Sequence, residues 1–191
     1  MKQSDSRRLF VAVDTPAQVK SRIAELQNQL KSTNADVRWD TLEKLHLTIK
    51  FLGSTRPDLV QPVITALGTI AAGTAPLKIV YRNLGHFPKR GDPRILWAGM
   101  EEETGALTLL HESIEQEMAA LGFAKDDRRF HPHITIGRIR STRRIPFLLR
   151  TMETITFECQ PVVVSSIDLI NSELKPDGSV YSTIASFPLT G

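Results

Sequence analysis

The sequence predicts an α+β fold, with helices interspersed among antiparallel strands and none of the regular strand–helix–strand alternation of a doubly wound sheet. Three observations carry this prediction. Amphipathic helical segments separate strand-like runs of alternating or apolar residues. The last part of the chain reads as strand-like pieces and a turn. A triplet followed by an apolar residue, His-x-Thr, occurs twice in strand-like surroundings, as His46-Leu47-Thr48-Ile49 and His133-Ile134-Thr135-Ile136.

Taken in order, residues 8–13 (RLFVAV) form an apolar strand, and Asp14 or Thr15 can cap the helix that follows, with Pro16 at its first position. Val19, Ile23, Leu26 and Leu30 recur at helical spacing up to Lys31, and residues 32–35 turn the chain. Residues 37–44 approach the first His-x-Thr strand, which Gly53 ends. Pro57 opens a second helix with Leu59, Val63, Ala66, Leu67 and Ile70 on its apolar face. Residues 77–84 and 95–100 read as strands around the loop GHFPKRGDPR. A third helix over about residues 104–121 turns Leu107, Leu110, Ile114, Met118 and Leu121 inward and stops at Gly122. Its His111 falls outside that stripe and is expected in solvent. After the second His-x-Thr strand come a basic turn over 140–144 and an unassigned apolar stretch over 145–151. Strands are expected over 155–160, 162–170 and 181–187, with a turn at Lys175-Pro176-Asp177-Gly178.

Composition narrows the class. A chain of 191 residues, 41% hydrophobic, makes a single domain, or two closely packed lobes, that buries a real core. No run approaches the about 18 apolar residues of a membrane helix, and the first apolar run is too short for a signal peptide. The lone Cys159 has no intrachain disulfide partner and is expected as a buried thiol. A cytoplasmic monomer is the expectation. The net charge of +3 says little, but seven arginines and no carboxylate lie between Arg128 and Arg150, around the second triplet. Such a local field favours a phosphate ester or polyanion.

In a strand, residues two apart share a face. Each triplet therefore offers one imidazole and one hydroxyl on one side, and anchors itself by its apolar residues on the other. Two imidazoles facing one another across a groove suit a general acid and a general base acting on one phosphorus. The residues alone leave open the plainer reading, two solvated strand faces.

The duplicated motif, with the blocks WDTLEKLHLTIKFLG, GHFPKRGDPRILWAG, RRFHPHITIGR and LINSELKPDGSVYSTI, resembles the two-histidine (2H) phosphoesterase superfamily. Within it, the chain is most similar to the bacterial RNA 2′,3′-cyclic phosphodiesterases, formerly called 2′-5′ RNA ligases. The resemblance implies two pseudo-symmetric lobes, each an antiparallel sheet with flanking helices, around a central groove. It implies His46 as proton donor and His133 as proton acceptor, and Thr48, Thr135 and Arg138 as phosphate-binding residues. The implied reaction opens a 2′,3′-cyclic phosphate at an RNA end, or on a small cyclic nucleotide, to a 2′-phosphate, with no metal or nucleotide cofactor. Alternatives within the resemblance are the reverse joining reaction and a different cyclic phosphate or 2′-5′ oligonucleotide; from another class comes a nucleotide- or RNA-binding module without turnover. Strict alternation points Arg138 away from His133, unless a bulge near Gly137 turns it back. His131 has the right parity to line the groove, yet no carboxylate or cysteine cluster completes a metal site with His133. Phe87 and Phe130 are candidate base-stacking rings.

Overall fold

The apolar run Leu9–Val13 is buried on both faces, and it forms the middle of strand β1 (Arg7–Asp14) in the computed structural model, which describes residues 6–176 and 178–191. Helix α1 (Ala17–Lys31) buries Val19, Ile23, Leu26 and Leu30 as the spacing predicts. Its cap differs from expectation: Pro16 is the N-cap residue and, among the described residues, no side chain caps the helix. Asp14 instead pairs with Lys20 at 2.7 Å.

A short strand β2 (Val37–Trp39) and a 3₁₀ turn (Leu42–Lys44) lead to β3 (His46–Thr55), the first motif strand. Helix α2 (Pro57–Ala72) starts on its proline and buries Val63, Leu67 and Ala71. β4 (Leu77–Phe87) and β5 (Ile95–Glu101) pair antiparallel, and β4 takes in His86 and Phe87, which were expected in a loop. Helix α3 (Ala106–Ala120) buries its predicted stripe through Met118. His111 is buried there too, against expectation, because the ring of Phe130 stacks on it at 4.1 Å.

β6 (His133–Ile139) is the second motif strand. The unassigned stretch becomes helix α4 (Ile145–Thr154), which buries Ile145, Leu148 and Met152 at helical spacing. Residues 155–160 do not form the expected strand; they contribute one isolated bridge, Arg82 with Glu158. The expected strand over 162–170 is broken at Ser165 into β7 (Val162–Val164) and the start of β8 (Ser166–Lys175). β8 pairs along its length with β9 (Gly178–Pro188). Asp177, in the turn expected between them, lies outside the described residues.

The strands follow one order, β7-β4-β5-β6-β3-β1-β8-β9, with β2 added on β6. One half, β3-β1-β8-β9, carries the first motif, and the other, β7-β4-β5-β6 with β2, carries the second. Among the described residues they pair at Leu47 with Ile134. These are the equivalent residues of the two motifs, so the pseudo-twofold axis passes between them. One apolar core runs beneath both halves, through Leu47, Ile49, Ile134 and Ile136 and the buried stripes of all four helices. A small separate cluster of Phe10, Ala12, Ile170 and Tyr181 lies on the other face of β1.

Candidate active site

The register set by Leu47 and Ile134 fixes the arrangement of the motifs. In an antiparallel ladder, His46 then stands across from Thr135, and Thr48 across from His133. Leu47, Ile49, Ile134 and Ile136 are buried while the four polar residues keep partial access to solvent. The floor of the groove is thus a square of two imidazoles and two hydroxyls. Among the described residues, neither threonine hydroxyl is committed to a hydrogen-bond partner.

The imidazole of His133 is tethered to the backbone carbonyl two residues before it. His133 Nδ1 lies 2.7 Å from the His131 carbonyl oxygen. A carbonyl can only accept, so Nδ1 carries the proton and a neutral ring leaves Nε2 with its lone pair free. Burial weakens proton binding on both rings. His46 stacks on Phe10 at 4.9 Å and meets Tyr181 edge-on at 5.4 Å. Desolvation there, only partly offset by Asp14 and the Lys44 carbonyl, pushes its pKa down to about 4. His133 meets Phe87 edge-on at 5.1 Å and is also held below the usual imidazole range, first by burial and further by His131 and Arg138.

Arg138 reaches the groove because β6 carries a bulge. Trp97 of β5 opposes Thr135, whereas Leu96 opposes Gly137, so Ile136 is skipped. Ile136 and Gly137 are buried in succession, parity slips by one, and Arg138 joins the face of His133. Its charge acts on both histidines. The same irregularity recurs at the same offset in β3. There Ala12 opposes Thr48, Val11 opposes Lys50 and Ile49 is skipped. Phe51 is therefore the pseudo-symmetric counterpart of Arg138, and it stands 65% exposed.

A pocket of about 410 Å³ beside the square is lined by Arg8, Phe10, Arg38, Phe51, Arg138 and Tyr181, with Asp40 and Lys44 also on its wall. Arg38 lies directly opposite Arg138 on the β2–β6 ladder. Two like charges in that position repel unless an anion lies between them. Asp40, whose pKa is raised by burial, is 4.0 Å from Arg138 and compensates them only in part. A wider hollow of about 880 Å³ between Arg7, Pro57 and Glu173 contains neither histidine.

Sequence reasoning named His46, His133, Thr48, Thr135 and Arg138, and the fold gathers all five. It missed Phe10, Phe51, Tyr181, Arg38 and Asp40, whose only shared signal is their position across a sheet. Of the stacking candidates, Phe87 lines the His133 wall, and Phe130 packs on His111 instead. His131 lies at the rim against Trp97, 4.9 Å away, and its ring is 6.1 Å from that of His133. The basic turn over 140–144 is bound to residues 34–36, through Asp36 N–H to the Arg143 carbonyl and Arg140 N–H to the Asp36 carbonyl, and does not line the pocket. His86, near the end of β4, bonds the Pro88 carbonyl just beyond the strand.

Two imidazoles, two threonine hydroxyls and an arginine stand on one groove face, an arrangement suited to phosphoester chemistry. The chain belongs to the LigT-like phosphoesterase family, whose model matches residues 13–97 and 99–181, each segment containing one His-x-Thr. It is 30% identical to the RNA 2′,3′-cyclic phosphodiesterase of Methanothermobacter thermautotrophicus, over 95% of this chain and 98% of that one. It is 32% identical to the protein of the same name from Geobacillus stearothermophilus, over 95% of this chain but only 57% of the relative's length. A crystal structure from Thermus thermophilus superposes with a TM-score of 0.81 at 27% identity, covering 96% of this chain and 98% of that one. The fold of Escherichia coli LigT in its apo form matches with a TM-score of 0.79 at 22% identity, covering 98% of this chain and all of the other. The four-helix, curled antiparallel architecture is that of this family. Among the described residues, no helix is long and apolar enough to cross a membrane.

Proposed function

We propose that this protein hydrolyses the 2′,3′-cyclic phosphate at an RNA end, leaving a 2′-phosphate and a 3′-hydroxyl. The observation that carries the reading is the Leu47–Ile134 register, which puts two imidazoles, that of His133 tethered through Nδ1 to a carbonyl, diagonally across a floor of two threonine hydroxyls. The names of the relatives at about 30% identity support the substrate class.

In this reading the free Nε2 of His133 takes a proton from water as the oxygen bonds to phosphorus. His46 gives a proton to the 3′ oxygen as its bond to phosphorus breaks. Thr48, Thr135 and Arg138 hold the phosphoryl oxygens on which negative charge gathers. With a pKa of about 4, His46 is neutral in the empty groove at neutral pH. The arriving phosphodiester anion supplies the charge that raises it, so the donor is loaded by its own substrate. Residues Arg8, Arg38, Lys44 and Phe51 offer the neighbouring pocket to the rest of the terminal nucleotide. Joining a cyclic end to a 5′-hydroxyl is the same chemistry reversed.

The test is to incubate EDTA-treated protein with a short RNA ending in a 2′,3′-cyclic phosphate and to identify the terminus. A 2′-phosphate is expected without added metal. His46→Ala and His133→Ala are each expected to slow turnover by about 10²–10⁴-fold with the fold retained. Near-normal rates from both variants, or a 2′-5′ linked product in place of hydrolysis, overturn the reading. We further place the protein in the cytoplasm, as a monomer; light scattering tests the monomer against the chain mass of 21.3 kDa.

A further inference from the structure

The positions just after the skipped residue of the two motif strands are filled in opposite ways. In β6 the position is Gly137, packed so closely that a Cβ there meets Val37 at 2.8 Å. In β3 it is Lys50, a cation whose side chain is 1% exposed. A charge buried so fully persists only with partners. Lys50 Nζ donates to Glu115 Oε1 of α3 at 2.6 Å and to the Ala124 carbonyl at 2.9 Å. The other carboxylate oxygen of Glu115 accepts the Asp126 N–H at 3.3 Å. His111, one turn earlier on α3, lies 3.8 Å from Glu115 and stacks on Phe130.

Ala124, Asp126 and Phe130 all belong to the segment 121–132, which has no helix or strand of its own and runs directly into His133. Its last carbonyl but one, that of His131, is the acceptor that holds Nδ1–H of His133. A segment without regular structure is placed by its anchors, and three of them come from this one cluster.

We propose that the Lys50–Glu115 ion pair is a positioning device, by which the strand of the first motif sets the ring orientation and tautomer of the histidine in the second. The catalytic part of this claim rests on the proposed role of His133 as base. Removing one charge leaves the other buried and unpaired, so the informative variant is Lys50→Met/Glu115→Leu, which replaces both by apolar groups of similar size. It is expected to fold, to lower kcat by about 10- to 100-fold with KM within about threefold, and to lose the Nδ1–H preference of His133 in ¹⁵N imidazole spectra. Should the double variant not fold, Lys50→Leu/Glu115→Met takes its place with the same two readouts. A folded variant with wild-type kcat and an unchanged His133 tautomer overturns the proposal. The tautomer reading needs no turnover, so it separates failure of this proposal from failure of the cyclic-phosphate reading, which the wild-type protein alone decides.

Discussion

Lowering the pH charges His46 in a place built for a neutral ring, and the cost is measurable as stability. Its pKa falls from 6.5 to about 4 on folding, because Phe10 and Tyr181 remove water from the imidazole. The unfolded chain therefore binds the proton more tightly, so between these values the unfolded state carries more protons and stability falls as pH falls. The contribution is complete above about pH 6.5 and is lost on the way to pH 4. At about 1.36 kcal/mol per unit, the full loss is about 3 kcal/mol, of which about 2 kcal/mol is gone by pH 5. Urea denaturation of the wild type and of His46→Gln at a series of pH values isolates this group, since His133 and the carboxylates titrate in both proteins. The difference in unfolding free energy is expected to be flat near neutrality and to shrink by about 2 kcal/mol at pH 5. A difference that stays flat down to pH 5, or that moves the other way, refutes the burial argument.

Three further outcomes are expected. Titrating the ring protons of His46 in the presence of a 2′-nucleotide product raises its pKa above the value of about 4 in the free protein, and a pKa left unmoved removes His46 as proton donor. Gly137→Ala forces a Cβ against Val37 and Trp39, and is expected to cost about 1–3 kcal/mol in denaturation and to slow turnover by displacing Arg138; wild-type values for both remove the bulge from the account. Phe51→Ala, at a position 65% exposed, is expected to change stability by no more than about 0.5 kcal/mol. It is expected to raise KM for cyclic-phosphate RNA by roughly fivefold or more if the ring stacks on a base, and an unchanged KM excludes that role.

What could be read in advance follows from periodicity. Alternation through His46–Ile49 and His133–Ile136 already assigned the buried and open faces, because a strand has a period of two whatever it pairs with. The same rule misplaced Arg138, since a bulge is a property of two strands and Gly137 was its one local trace. His111 looked solvated on its own helix and is buried by Phe130, a residue nineteen positions later in the sequence. Residues 145–151 resisted assignment because a short apolar run fits strand and helix alike until Ile145, Leu148 and Met152 find a common partner surface. Residues 155–160 have strand-like chemistry, but β7 occupies the pairing edge of β4 at Leu77–Ile79, leaving them a single bridge. Phe51 and Arg138 could be matched as counterparts only once both bulges were located.

The strand order also bears on how the protein acquires its structure. The sheet that carries His46 is completed by β8 and β9, more than a hundred residues downstream, and the sheet that carries His133 borrows β2 from the early part of the chain. Neither half of the sequence contains a whole lobe. During synthesis, the first histidine strand therefore waits for the closing hairpin, and the long loops that must close make assembly slow relative to a helical protein of this size. The groove then draws on strands from early and late in the sequence, so a chain released before β9 has no half-built site to offer, only two unfinished half-sheets with open edges.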